Sequence, residues 1–138
     1  MPIYGERSNN MKLLVIGSGG REHAIVRSLK KSPRASEIHV LPGNGGLSED
    51  AICADVSATD IDGAVSYAKE HEIDYAVVTP DDPLCLGMVD ALEAAGIPCF
   101  GYGPSLESLA HVRDEYIEID QLTKACKGFE CILAQLTK

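Results

Sequence analysis

The sequence contains little that would place the protein at a membrane or on nucleic acid. No apolar run approaches the ~20 residues needed to cross a bilayer, and residues 1–10 lack the apolar stretch of a signal peptide. Basic residues are scarce: 12 Lys and Arg stand against 21 Asp and Glu, and the resulting net charge of −9 repels phosphate backbones. We therefore predict a cytoplasmic protein that binds neither a membrane nor nucleic acid.

The patterns that announce disulfides and metal sites are also missing. The five cysteines are an odd number and contain no C-x-x-C pair, and the four histidines contain no H-x-x-x-H pair. We therefore expect neither a disulfide framework nor a metal site. The length of 138 residues is enough for one hydrophobic core and not for two.

What the sequence does contain is an alternation of short apolar runs with amphipathic segments. Residues 1–10 are polar and predict a disordered leader. Short apolar runs, most of which end at Gly or Pro, predict strands at 12–17, 37–41, 52–56, 74–79 and 97–101. Helical spacing of apolar residues predicts helices at 21–31, from 59 or 60 onward, and at 84–95. This alternation predicts an α/β fold, an open and mostly parallel sheet with helices on both faces.

The loop that follows the first strand has glycines where phosphates are often bound. Gly17 and Gly19 match the opening of the dinucleotide motif G-x-G-x-x-G, but Glu22 occupies the third glycine position. The second strand also ends without the acidic residue that would hold a ribose, and no G-K-[ST] follows, so both a dinucleotide site and a P-loop are disfavoured. The start of a helix could still bind a monophosphate, with help from Arg21. The alternative is a tight turn without a ligand.

Two neighbouring carboxylates, Asp81 and Asp82, lie between two prolines after the fourth strand. The prolines predict a loop of restricted freedom. The carboxylates could accept hydrogen bonds from a sugar hydroxyl or an amine, and the alternative is a solvated acidic turn. His23, early in the first helix, is interpreted as a core or capping histidine.

Four segments together resemble one known family. Residues 11–24 read MKLLVIGSGGREHA, residues 41–46 LPGNGG, residues 78–84 VTPDDPL and residues 87–97 GMVDALEAAGI. In this order and spacing they resemble the N-terminal domain of phosphoribosylamine–glycine ligase, also called glycinamide ribonucleotide synthetase, of the ATP-grasp superfamily. The resemblance covers about residues 11–107 and implies a Rossmann-like pre-ATP-grasp domain that binds substrate.

The resemblance implies the chemistry of the full-length enzyme. ATP, with a divalent cation such as Mg²⁺, converts the carboxylate of glycine to an acyl phosphate, which the amine of phosphoribosylamine attacks to give glycinamide ribonucleotide. In this family a separate ATP-grasp domain holds ATP and metal. Carried over by position, the resemblance implies substrate contacts near the ribose phosphate, in the neighbouring loop and near the ribose or amine: Gly19, Gly20, Arg21, Glu22, Asn44, Gly45, Asp81 and Asp82.

Residues 108–138 do not resemble the family's continuation and are predicted to be helical, with a break near Gly128. Because no ATP-grasp motif is recognised, we expect no catalytic residue in this chain, no binding of ATP or Mg²⁺ to it alone, and no activity without a separate ATP-grasp chain. The alternative hypothesis is a truncated, non-catalytic remnant that acts as an interaction or dimerisation module.

Overall fold

A computed structural model describes residues 10–100 and 116–136 of the chain, without the side chains of residue 100 and residues 133–136. The chain divides into two compact units, Met1–Gly101 and Tyr102–Lys138. The described part of the first unit is an α/β fold. Its strands are β1 (Met11–Gly17), β2 (Ala35–Pro42), β3 (Ile52–Cys53), β4 (Tyr75–Val78) and β5 (Cys99–Phe100). Its helices are α1 (Gly20–Leu29), α2 (Ile61–Glu70), α3 (Asp81–Cys85) and α4 (Met88–Ala94), with a 3₁₀ turn at Leu47–Glu49.

The strands described form one sheet in the order β3-β2-β1-β4-β5, and every neighbouring pair is parallel. The chain therefore winds outward from β1 in both directions, as in doubly wound folds. In the register, Gly17 is opposite Pro42, and Ile16 is opposite Val78. As a result, the loops that follow β1, β2 and β4 all leave the sheet at the same edge.

The alternation of side chains along β1 explains why helices cover both faces of the sheet. Leu14 and Ile16 point to one face, where they pack in a cluster with α2 and α4. Val15 points to the other face and packs in a second cluster with Val26 of α1 and with Leu47. All five of these side chains are fully buried, and a strand buried on both faces reads as the continuous apolar run seen here.

Two predictions about helices were wrong. The predicted 84–95 helix is two helices, α3 and α4, separated by Gly87 in the left-handed conformation (φ 87°). The predicted rigid loop at Asp81 and Asp82 is the first turn of α3, which begins after Pro80. Pro83 is compatible with this turn because the first N–H groups of a helix have no partner within the helix.

The described part of the second unit contains α5 (Ile119–Leu136), which is continuous. The break predicted near Gly128 is therefore wrong, because a single glycine inside a helix costs only about 1 kcal/mol and does not end it. None of the helices described is long and apolar enough to cross a membrane. The predicted leader and part of the predicted tail fall outside the described residues, so the boundaries at 10/11 and 107/108 stay predictions.

Candidate functional site

The loop after β1 is organised around the side chain of Glu22. This side chain is 5% exposed, and its two oxygens have different partners. Oε2 accepts a hydrogen bond of 2.7 Å from the backbone N–H of Gly19, the residue that precedes α1. Oε1 accepts hydrogen bonds from the Thr79 hydroxyl and, at 3.3 Å, from Nε of Arg21. Glu22 thus ties the start of α1 to the end of β4.

The electrostatics of Glu22 follow from these partners. Burial raises the pKa of this carboxyl, but the hydrogen bonds donated by Thr79, Gly19 and Arg21 outweigh burial and lower the pKa below its ordinary value of 4.5. Glu22 is therefore a buried carboxylate that is ionised at neutral pH.

Glycines make room for this carboxylate. Gly17 has φ 133°, and a Cβ placed on it would lie 2.6 Å from Cγ of Glu22 and 3.0 Å from Cγ of Pro80. A Cβ on Gly19 would lie 2.8 Å from Oε2 of Glu22, whereas one on Gly20 would meet nothing within 4 Å. Gly17 and Gly19 thus serve the packing of Glu22, and Gly20 faces open space.

Asn44 joins the loop after β2 to the loop after β1. Its side-chain amide donates a hydrogen bond of 2.5 Å to the carbonyl of Ser18, and its Oδ1 accepts one of 2.9 Å from the N–H of Leu47. The backbone adds a 3.2 Å hydrogen bond from the Gly43 N–H to the Gly17 carbonyl. Gly45, next along this loop, has open space where a Cβ would lie. Hydrogen bonds therefore hold the centre of the P-G-N-G-G segment against the glycine loop.

His23 belongs to a separate cluster on α1. Its Nε2 is 2.8 Å from Oδ2 of Asp50, and Lys30 Nζ donates a 2.8 Å hydrogen bond to Oδ1 of the same carboxylate. These hydrogen bonds, that of Lys30 first, lower the pKa of Asp50 to about 2. Asp50 follows the 3₁₀ turn, so the cluster holds the loop after β2 against α1. The interpretation of His23 as a core or capping histidine is thus replaced by a half-buried histidine that is hydrogen-bonded to Asp50.

Asp81 and Asp82 are exposed in the first turn of α3. They follow Thr79 and Pro80, the residues that touch Glu22 and approach Gly17, so they lie next to the glycine loop. The hydrogen bond from Thr79 to Glu22 was not predicted from the sequence, because no local pattern at the end of a strand indicates a partner 57 positions away. It also missed Asp50, whose partners lie in the first helix.

The arrangement places all three predicted segments at one edge of the sheet. Gly19, Gly20, Arg21, Asn44, Gly45, Asp81 and Asp82 are exposed there, and Glu22 is buried beneath them. A surface cavity of about 410 Å³ lies elsewhere, beside β2 and β3, and none of these residues lines it. Across residues 10–100 and 116–136, no group of three or more His, Cys, Asp or Glu side chains is placed to hold a metal ion.

Comparison with known proteins identifies the family of this chain. Residues 11–109 match the family described as phosphoribosylglycinamide synthetase, N domain. A phosphoribosylamine–glycine ligase of Xylella fastidiosa (strain Temecula1) is 50% identical over 93 residues, which are 66% of this chain and 22% of that protein. The trifunctional purine biosynthetic protein adenosine-3 of Drosophila melanogaster is 45% identical over 97 residues, 67% of this chain and 7% of that protein.

A likeness among solved structures concerns the fold alone. The crystal structure of RSP in complex with beta-NADH has a TM-score of 0.50 and 19% identity, over 94% of this chain and 65% of that one.

The chain spans about a fifth or less of the length of the two curated relatives named above. The family match, in contrast, covers most of the chain, from the first residue of β1 to residue 109. The chain belongs to the phosphoribosylglycinamide synthetase N-domain family.

Proposed function

We propose that residues 11–107 form the substrate-binding domain of a phosphoribosylamine–glycine ligase, the enzyme that joins glycine to 5-phosphoribosylamine in purine biosynthesis. The proposal rests on the hydrogen bonds that hold the three predicted loops together at one edge of the sheet. Glu22 binds the first loop to the end of β4 through Thr79. Asn44 binds the first loop to the second through Ser18.

Ligands of open parallel sheets bind outside the carboxyl ends of the strands, where the chain winds outward in two directions. Here that position lies between β1 and β4. The exposed residues at this edge offer complementary groups for a ribose phosphate that carries an amine. Gly20 and Gly45 leave space for close approach of a ligand, Arg21 offers N–H donors for sugar hydroxyls, and Asp81 and Asp82 offer acceptors for hydroxyl or amine hydrogens.

In the proposed reaction these residues bind and orient phosphoribosylamine, or the product glycinamide ribonucleotide. ATP and Mg²⁺ would supply the activation of the glycine carboxylate. The described residues offer no set of metal ligands, so we assign no ATP or metal contact to them and propose that a separate ATP-grasp chain or domain provides these contacts. A cytoplasmic location is part of the same proposal.

The test is an NMR titration of the ¹⁵N-labelled chain with glycinamide ribonucleotide. We expect the backbone amides of residues 19–22, 44–45 and 79–82 to shift together and to saturate. A matched pair of variants sharpens the result. Gly45→Leu places a side chain in the open space of the second loop and should weaken binding, whereas Gly96→Asn, at a left-handed position (φ 85°) beyond α4, should not.

If the amides of all three loops stay unshifted at millimolar ligand, the proposed function is wrong for this chain. In that case the alternative, a non-catalytic interaction or dimerisation module, becomes the better account. A concentration-dependent change of sedimentation coefficient in the same samples would then support it.

A further inference from the structure

The start of α1 already contains an anion that belongs to the chain. A helix that begins after a glycine exposes backbone N–H groups, which bind phosphates and other anions in many proteins. Here Gly19 has no side chain to accept from these groups, and Glu22, three residues on, turns its carboxylate back to the Gly19 N–H at 2.7 Å. Glu22 thus accepts the hydrogen bond of an N–H group that a bound phosphate would otherwise use.

The space that a phosphate would need is also filled. In dinucleotide loops the second glycine lets the backbone approach the pyrophosphate. In this chain Gly17 and Gly19 instead clear the side chain of Glu22, since a Cβ on either residue would lie within 2.8 Å of one of its atoms. The two glycines that suggest a phosphate loop are therefore explained by an internal carboxylate.

Glu22 is held in this position from a second side. The Thr79 hydroxyl and Arg21 Nε both donate to Oε1, and the side chain is 5% exposed. The hydrogen bonds keep it ionised at neutral pH. A phosphate placed against the same N–H groups would meet a like charge shielded from water, which is unfavourable.

We infer that Glu22 is a positioning residue that takes the place of a bound phosphate at the start of α1. The phosphate of the ligand then binds away from this helix start, and the loop after β1 meets a neutral or cationic part of the ligand, its sugar hydroxyls or its amine. This inference rests on the proposed function for the identity of the ligand, but the filling of the helix start by Glu22 does not depend on it.

The experiment compares inorganic phosphate with glycinamide ribonucleotide on the full ¹⁵N-labelled chain. In the wild type, phosphate should leave the amides of Gly19, Gly20 and Arg21 unshifted. In Glu22→Ala, which removes both the charge and the side chain that fills this space, phosphate should shift these amides to saturation and should bind at least tenfold more tightly than to the wild type. The control Glu70→Ala removes an exposed carboxylate from α2 and should behave as the wild type. A residue of purely structural importance would not yield a new phosphate site when truncated.

A second measurement needs no variant. In a pH titration without phosphate, the carboxyl ¹³C signal of Glu22 and the amide signals of Gly19 and Thr79 should share one midpoint, below the ordinary value. Separate midpoints would overturn the inference, as would saturable binding of phosphate to the amides of residues 19–21 in the wild type, or a folded Glu22→Ala that gains no phosphate site. A failure of glycinamide ribonucleotide to bind anywhere would instead overturn the proposed function and leave the phosphate comparison intact.

Discussion

The hydroxyl of Thr79 donates a hydrogen bond to the carboxylate of Glu22, across 57 positions of the chain. This bond joins the end of β4 to the first turn of α1 at the edge where β1 and β4 leave the sheet. Because the acceptor is a buried charge, the bond belongs to the stronger class of protein hydrogen bonds. The relationship fixes the glycine loop, and four predictions follow from it and from its neighbours.

Replacing Thr79 by Val keeps the shape of the side chain and removes the donor. We expect the free energy of unfolding to fall by roughly 1–3 kcal/mol, because the Glu22 carboxylate loses one of its partners inside the protein. Urea unfolding followed by circular dichroism measures this. Thr59→Val, at an exposed position before α2, is the control and should stay within about 0.5 kcal/mol of the wild type. Equal effects of the two substitutions would show that the bond to Glu22 contributes little.

Gly17→Ala should destabilise the fold by at least roughly 1–3 kcal/mol, the usual cost of a strained backbone position. The reasons are the φ of 133° and a new Cβ 2.6 Å from Cγ of Glu22. Gly20→Ala is the contrasting variant, since its Cβ meets nothing within 4 Å. It should be neutral or stabilising by up to about 1 kcal/mol, while it weakens binding of a ligand that approaches Gly20. Thermal unfolding and a ligand titration of both variants separate the two effects.

Asn44 is expected to hold the second loop through two hydrogen bonds that can be removed one at a time. Asn44→Asp keeps the acceptor for the Leu47 N–H and loses the donor to the Ser18 carbonyl, whereas Asn44→Ala loses both. Hydrogen exchange at the Leu47 amide should therefore speed up in Asn44→Ala and change little in Asn44→Asp. Fast exchange in both variants would mean that the link to Ser18, rather than the turn around Leu47, holds this loop.

The acid stability of the fold should depend on Glu22. Because its pKa is lowered on folding from 4.5, its contribution is complete above that pH and is lost as the pH falls through the lowered value. Glu22→Gln should be less stable than the wild type at pH 7 and should lose less stability as the pH falls below 4.5. Asp50→Asn should reduce the pH dependence of stability over a lower range, from pH 3.8 down to about pH 2. Urea midpoints at a series of pH values test both, and parallel pH curves for the wild type and Glu22→Gln would contradict the expectation.

Much of this architecture can be predicted from local sequence patterns. The apolar run of β1 with its final glycine, and the Asp60 carboxylate that accepts a 3.0 Å hydrogen bond from the Gly63 N–H at the start of α2, are signals a few residues long. The parallel sheet with helices on both faces follows from their alternation, and the structure and the comparisons confirm the predicted fold class.

What the sequence could not reveal depends on contacts between distant segments. Asp81 and Asp82 were predicted in a loop because prolines flank them, whereas the structure shows that they begin α3, in which Pro83 is buried. The spacing of Gly17 and Gly19 was compatible with a monophosphate site or with a tight turn without a ligand, and in the structure the neighbour that these glycines accommodate is Glu22. A pattern of glycines specifies that something approaches closely, and the fold decides whether it is a ligand or a side chain.

The most direct test of the proposed substrate edge is a measurement of intermolecular nuclear Overhauser effects between glycinamide ribonucleotide and the labelled chain. We predict contacts from the ribose protons to the amides of Gly20, Gly45 and Asp82. Contacts confined to other surfaces, such as the cavity beside β2 and β3, would contradict the assignment of the substrate site to this edge.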